Sequence, residues 1–282
     1  MRITRLAAAA GTLAMVLAAA ACGGGDNNGG SSGSGGIVDK ASSQKKLTIG
    51  VKADQPGLGL QTGTTYTGFD IEIAKIVAKG LGVPESGITW KTTVSSNREP
   101  FIQQGQVDLV VATYTINDDR KKVVNFGGPY YVAGQDLLVP VNSTITGPEA
   151  LDGKKVCSVT GSTPAKRIQS DYPKAHLQQF DTYSKCVTAL AGGQVDAVTT
   201  DDIVLAGYAA QTQNAGKFKL VRKPFSTEPY GIGLKKTDTT GCNKINEILK
   251  ASATDGSYKQ AWESTLGKPA PELDVTKLTN CS

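Results

Sequence analysis

Short apolar runs alternate along this chain with longer stretches of helical period. Lys46–Lys52 alternates, with Leu47, Ile49 and Val51 on one face, and predicts a first strand. Residues 68–81 predict the clearest helix: Phe69, Ile73, Ile76, Val77 and Leu81 share an apolar face, while Asp70, Glu72, Lys75 and Lys79 point away. Its acids lie in the first turn and Lys79 in the last, as the helix dipole favours, and Gly80 and Gly82 supply the stop. Val107, Leu109, Val110 and Val111 form a buried strand of the kind parallel sheets use. Further strands are predicted at 137–141, 155–160, 195–199, 218–221 and 230–234. Helices are predicted at 183–190, 243–251 and 258–266, with a shorter one closing the loop at 95–105. The fold class is α/β.

One tetrapeptide occurs twice. Gly105-Gln106-Val107-Asp108 returns as Gly193-Gln194-Val195-Asp196, which puts Thr113 and Asp201 at equivalent strand ends of two similar lobes. Ligands of open α/β sheets sit beyond the carboxyl ends of the strands. Thr113 and Thr115 place hydroxyls there, and Arg120 follows. A guanidinium offers a carboxylate two parallel hydrogen bonds. The competing reading pairs Arg120 with Asp118 or Asp119 on a solvated turn. Lys52 also stands at a strand end, where a solvated lysine is the competing reading. In Gly161-Ser162-Thr163-Pro164, proline suits a first helical turn whose free N–H groups attract anions, and Ser162 or Thr163 can equally be a simple cap. A ligand bridging hydroxyls and arginine on one lobe and Asp201 on the other carries a carboxylate and an ammonium, as an amino acid does.

The first 21 residues are a signal peptide by pattern: Arg2 and Arg5, then an apolar, alanine-rich run from Leu6 to Ala21. Ala20-Ala21-Cys22-Gly23 resembles a bacterial lipobox with Cys22 as the lipidated mature N-terminus, although Ala19 replaces the usual leucine. Ordinary secretion is the alternative. Residues 23–36 are mostly glycine and serine, a tether spanning about 20 Å as a coil. The net charge of +5 falls to +3 once Arg2 and Arg5 leave, with no basic run suited to nucleic acid. His176 is the only histidine and is expected at the surface, and no cysteine spacing suggests a metal. Cys157, Cys186, Cys242 and Cys281 read as two disulfides with three possible connectivities; Cys157–Cys186 and Cys242–Cys281 keep each pair within one lobe. There is no GxSxG, phosphate-loop GxxxxGK[ST] or HExxH, and Ser42-Ser43-Gln44-Lys45 matches SxxK without its partner motifs.

The helix at 68–81 and the stretch 106–131, with its hydroxyl-rich strand end, arginine and later Pro129-Tyr130, resemble the family 3 solute-binding proteins of amino-acid ABC transporters. The resemblance covers about residues 46–266. It implies a two-lobed periplasmic-binding-protein fold of type II, each lobe a mostly parallel sheet flanked by helices, joined by two crossover hinge strands. The expected divisions are 1–21 signal peptide, 22–45 lipidated cysteine and flexible linker, 46–134 lobe 1, 135–227 lobe 2, and 228–282 returning to lobe 1. It further implies that Arg120 and the turn at Ser162-Thr163 hold the ligand's α-carboxylate and that Asp201 holds its ammonium; Asp202, by residue type and place, reads as a helix N-cap. Asn97-Arg98 looks like the stretch whose arginine holds a side-chain carboxylate in acidic-amino-acid binders, with Lys52 as the second cation; a surface pair of Arg98 with Glu99 is the alternative. Where many members place a ligand-stacking aromatic, Gln55-Pro56-Gly57-Leu58 stands here, and Tyr66 is a substitute wall. Lys52, Arg98 and Arg120 against Asp201 point to glutamate or aspartate.

The expected protein is a monomer anchored to the outer face of the cell membrane that delivers an acidic amino acid to an ABC permease, without cofactor, metal or nucleic acid. Two alternatives stay open. One is a same-fold dehydratase using Asp54 or Asp201 as acid or base. The other is a sensory protein docking on a receptor, and glutamine is the alternative ligand.

Overall fold

The computed structural model describes residues 35–281, so the expected signal peptide and Cys22 lie outside the described residues. The first lobe opens with α1 (Ile37–Gln44) and β1 (Leu47–Val51), then a small antiparallel meander, β2 (Asp54–Gln55), β3 (Gly59–Thr62) and β4 (Thr65–Thr67). It continues through α2 (Phe69–Gly80), β5 (Ile88–Thr92), α3 (Arg98–Gln103), β6 (Leu109–Val111), α4 (Asp118–Lys121) and β7 (Val124–Ala133). The second lobe holds β8 (Gln135–Pro140), β9 (Lys155–Val159), α5 (Thr163–Asp171), β10 (His176–Phe180), α6 (Tyr183–Ala191), β11 (Ala197–Asp201), α7 (Asp202–Ala209) and β12 (Phe218–Leu220). The chain then returns through β13 (Glu228–Lys235), α8 (Thr239–Asp255) and α9 (Ser257–Thr265).

Two five-stranded sheets share one plan, β5-β1-β6-β13-β7 and β10-β9-β11-β8-β12. In each, three neighbouring strands run parallel, the fourth runs against them, and the edge strand pairs antiparallel with that fourth. The lobes are joined where β7 passes into β8 at Gly134, and again where β13 begins, with Ala133 opposite Glu228. These two strands pair along their length, so the crossing is a two-stranded ribbon, stiff along its axis and able to bend at its end.

The core of the first lobe is aromatic on one side. Phe69, at the start of α2, packs against Tyr130, Tyr258 and Trp262 with ring centroids 6.0, 5.6 and 5.1 Å away. That packing holds α2 across the sheet and explains why its apolar face was legible. The stretch expected as linker up to residue 45 is corrected from Ile37 onward: 37–44 is helix α1, with Ile37 and Ala41 buried. Its N-terminal N–H donates to Asp238 at 2.7 Å, and Lys40 bonds Asp108 at 2.7 Å. The disulfides are Cys157–Cys186, tying β9 to α6, and Cys242–Cys281, tying α8 to the C-terminal tail. No described helix is long and apolar enough to cross a membrane.

Candidate functional site

Both sheets point the carboxyl ends of their parallel strands at the crevice between the lobes. On the first lobe, β6 leads into Thr113, two residues past its end, which is held at φ 44° by a hydrogen bond from its N–H to the buried Asp70 (2.8 Å). That bond turns the following Tyr114-Thr115 segment toward the return strand, where Thr115 bridges Tyr230. Arg120 reaches back from α4. Its Nη1 donates to the Thr115 carbonyl at 2.7 Å, its Nε to Glu99 at 3.0 Å, and its Nη2 to the Gly161 carbonyl of the other lobe at 3.1 Å.

Arg98, at the start of α3, is 2% exposed and lies against the Tyr114 ring, 4.4 Å from its centroid. It donates to the carbonyls of Ser95, Ala112, Thr113 and, across the crevice, Gly161. Lys52, at the end of β1, is also buried, and its amine donates to Ser95 Oγ at 2.8 Å.

The second lobe supplies the N-terminus of α5. Ser162 accepts the Ala165 N–H at 3.1 Å and so is the helix cap. Thr163 donates to the buried Glu228 of the return strand at 2.7 Å and faces Thr115 Oγ1 at 3.3 Å. Asp201 ends β11. One carboxylate oxygen accepts the Tyr230 hydroxyl, and the other is buried with no hydrogen-bond partner. An unpartnered buried carboxylate oxygen is costly, and it marks where a cation would be held.

Arg98, Thr113, Thr115, Ser162, Thr163 and Asp201 line one cavity, together with Ser95, Pro164, Tyr183 and Thr200. Lys52 and Arg120 stand behind its wall, reaching it through Ser95 and Thr115. As drawn together, these groups leave about 10 Å³ of free volume, room for about one water, so anything larger enters only when the lobes part. A groove of about 1030 Å³ lies elsewhere, between α2, α8 and α9. Its charges are paired with each other at the surface, Lys75 with Glu72 and Lys244 with Glu247, so it offers no comparable chemistry.

Burial dominates the electrostatics. It lowers Lys52 to about 7, with the Arg98 charge adding to the effect and Asp54 and Asp70 opposing it, and it lowers Arg120 to about 10. Burial raises Asp201 to about 7, and the neighbouring Glu228 pushes the same way. Around neutral pH, Lys52 and Asp201 are thus both poised, and each regains its charge when an opposite charge arrives.

Several sequence readings are corrected. Arg120 pairs with Glu99, neither with Asp118 nor Asp119, while Arg98 leaves Glu99 and binds backbone carbonyls. Asp202 is the first residue of α7 rather than its cap, and its carboxylate reaches the Gly134 N–H at the crossing. Tyr66 is no wall of the cavity: its hydroxyl bonds Thr92 and its ring lies 6.1 Å from Trp90. Asp54 lies outside the cavity lining and is engaged with α6 and α7. Sequence reasoning missed Asp70, Glu228 and the cavity-lining Ser95, Tyr183 and Thr200. Asp70 looked like an outward acid of an amphipathic helix, and nothing local marks the others. No group of metal-ligating side chains occurs among the described residues.

The sequence and the fold both have known counterparts. The model of the bacterial extracellular solute-binding proteins, family 3, matches residues 47–268. The chain is 43% identical to the glutamate-binding protein GluB of Corynebacterium efficiens, over 79% of each chain. It is 39% identical to the ABC transporter glutamine-binding protein GlnH of Bacillus subtilis, over 80% of this chain and 83% of that one. Among solved structures, an ancestral arginine-binding protein bound to glutamine matches with a TM-score of 0.74 at 36% identity, over 80% of this chain and 99% of that one.

Proposed function

The chain belongs to the bacterial extracellular solute-binding proteins of family 3, and we propose that it captures an acidic amino acid, glutamate foremost, and delivers it to an ABC permease. Arg120 and the α5 N-terminus take the α-carboxylate, Asp201 takes the ammonium, and Lys52 with Arg98 takes the side-chain carboxylate. Cys22 anchors the protein outside the membrane through the tether. The function is binding and release, without a catalytic step.

Lys52 is the observation that carries the acidic assignment. The buried ammonium has its one hydrogen bond to a neutral hydroxyl, and the nearby Asp54 and Asp70 offset only part of the cost of burial, which still leaves it lowered to about 7. A second carboxylate on the ligand supplies the missing partner. Arg98 is the weaker witness, because four of its hydrogen bonds already go to backbone carbonyls. Glutamine keeps glutamate's shape without its charge and is the sharp comparison. Calorimetry is expected to show glutamate ahead of glutamine by one to two decades, about the 1.5–3 kcal/mol of a charged hydrogen bond. Lys52→Met is expected to shrink that ratio with little effect on glutamine. A wild type that prefers glutamine overturns the acidic reading and leaves amino-acid capture standing.

A further inference from the structure

The lobes also meet away from the cavity. Asp54, on β2 of the first lobe, accepts the Ser184 N–H at the start of α6 with its carboxylate (3.1 Å), and the Tyr208 hydroxyl on α7 with its backbone carbonyl (2.5 Å) and its carboxylate (3.0 Å), both partners lying on the second lobe. Tyr208 is 2% exposed, and burial beside Asp54 pushes its phenol far up, so it stays a donor throughout the working pH range. Next to it, Gly207 lies against the first lobe. A Cβ there would stand 2.3 Å from the Pro56 carbonyl oxygen. Neither Asp54, Pro56, Gly207 nor Tyr208 lines the cavity.

These contacts exist only while the lobes are together. Parting them returns the Asp54 carboxylate and the Tyr208 hydroxyl to water and separates Gly207 from Pro56. We propose that Asp54, Tyr208 and the bare Gly207 form a closing latch that sets the balance between open and closed lobes, and with it the affinity for every ligand alike. The proposal rests on the reading above that the crevice shuts on an amino acid. A ligand's apparent affinity scales with the fraction of protein competent to hold it. A latch that touches no ligand therefore multiplies all affinities by one factor and leaves their ratios alone.

Three single variants and one double variant test this, read by affinity, melting temperature and scattering. Tyr208→Phe is expected to weaken glutamate and glutamine equally, by roughly three- to tenfold, and Asp54→Ala to weaken both by roughly tenfold, the range for a lost charged hydrogen bond. The double variant is expected to be weaker than Asp54→Ala, because the bond from the Tyr208 hydroxyl to the Asp54 backbone carbonyl survives the alanine and is lost with the phenylalanine. Gly207→Ala separates latch from folding: alanine is the better helix residue, so the melting temperature is expected to hold while both affinities fall by a common factor. Small-angle scattering is expected to show a larger radius of gyration for each variant than for wild type at the same ligand concentration. Because the Asp54 charge also acts on Lys52, the glutamate-to-glutamine ratio is read in Tyr208→Phe and Gly207→Ala, where a change overturns the proposal. Unchanged affinities in all three variants overturn it as well. Should wild type bind no amino acid, the functional reading fails on its own; the latch is then judged by scattering of the free proteins, where equal radii overturn it.

Discussion

The two GQVD turns are built alike and finish differently. Gly105 and Gly193 both sit at φ 66°, a backbone region that side chains disfavour. Each aspartate then exchanges bonds with one residue at the start of the neighbouring strand. Asp108 donates its N–H to the Thr48 carbonyl and accepts the Thr48 N–H at 2.7 Å; Asp196 does the same with Lys155, at 2.8 Å. This reciprocal clasp sets the register of β6 on β1 and of β11 on β9. Five residues on, the halves part company: Thr113 is pinned by Asp70, while Asp201 leaves one oxygen unpaired toward the cavity. Backbone-directed residues repeat because both sheets need the same register. On the proposed reading, the residues at the strand ends diverge because the two ends of an amino acid carry opposite charges.

The sharpest break of this symmetry is at the strand ends. Asp201→Ala removes the ammonium's partner and Arg120→Met the carboxylate's. Stripping one member of a buried pair costs roughly 3–5 kcal/mol, so each change is expected to weaken binding by about two to four decades. Calorimetry checks it, and near-wild-type affinity in both variants would discard the clamp. Equal effects would make the lobes functional mirror images. A smaller loss at Arg120 would trace to Glu99, which already neutralises that arginine in the free protein.

How far the sequence reached follows the same division. Elements whose residues answer to near neighbours were legible: the alternation of β1, the apolar face of α2, and the repeated clasp. The cavity-lining residues Thr113, Ser162 and Asp201 were legible as strand-end and helix-start positions because they follow those elements at fixed offsets. What escaped is side-chain pairing between distant segments. Glu99 chooses Arg120 over its neighbour Arg98; Glu228 receives Thr163 from the opposite lobe; Asp54 finds Tyr208. Helix α1 escaped for another reason. Its two buried residues, Ile37 and Ala41, follow a glycine-serine run whose composition extends no hint of where order begins.

A smaller asymmetry lies within the clasps. Asp108 also holds Lys40 of α1, at 2.7 and 2.8 Å, whereas among the described residues Asp196 has Lys155 alone and is exposed. Asp108→Ala is expected to cost about 2 kcal/mol in denaturant unfolding and Asp196→Ala about 1 kcal/mol, since a partly buried charged bond is worth more than an exposed one. Lys40→Met should recover a few tenths of the difference. Equal losses at the two aspartates would mean that α1 adds nothing through this bond.

The finest test separates the lobes by proton linkage. Lys52 in the first lobe is lowered to about 7, and Asp201 in the second is raised to about 7. A bound ammonium restores the Asp201 charge, so below pH 7 binding expels a proton there, and any amino acid gains affinity as pH rises toward 7. A side-chain carboxylate restores the Lys52 charge, so above pH 7 glutamate binding takes up a proton, and affinity falls as pH rises. Glutamine lacks that carboxylate and feels the Asp201 effect alone. The ratio of glutamate to glutamine affinity cancels what the second lobe contributes and isolates the first. It is expected to be level below pH 6 and to fall through pH 7–8 by at most about tenfold per unit, the limit for one linked proton. Calorimetry in buffers of different ionisation enthalpy counts that proton directly. Lys52→Met is expected to flatten the ratio while the rise common to both ligands persists, because that rise belongs to Asp201. A wild-type ratio that does not vary with pH would remove Lys52 from the ligand's side chain.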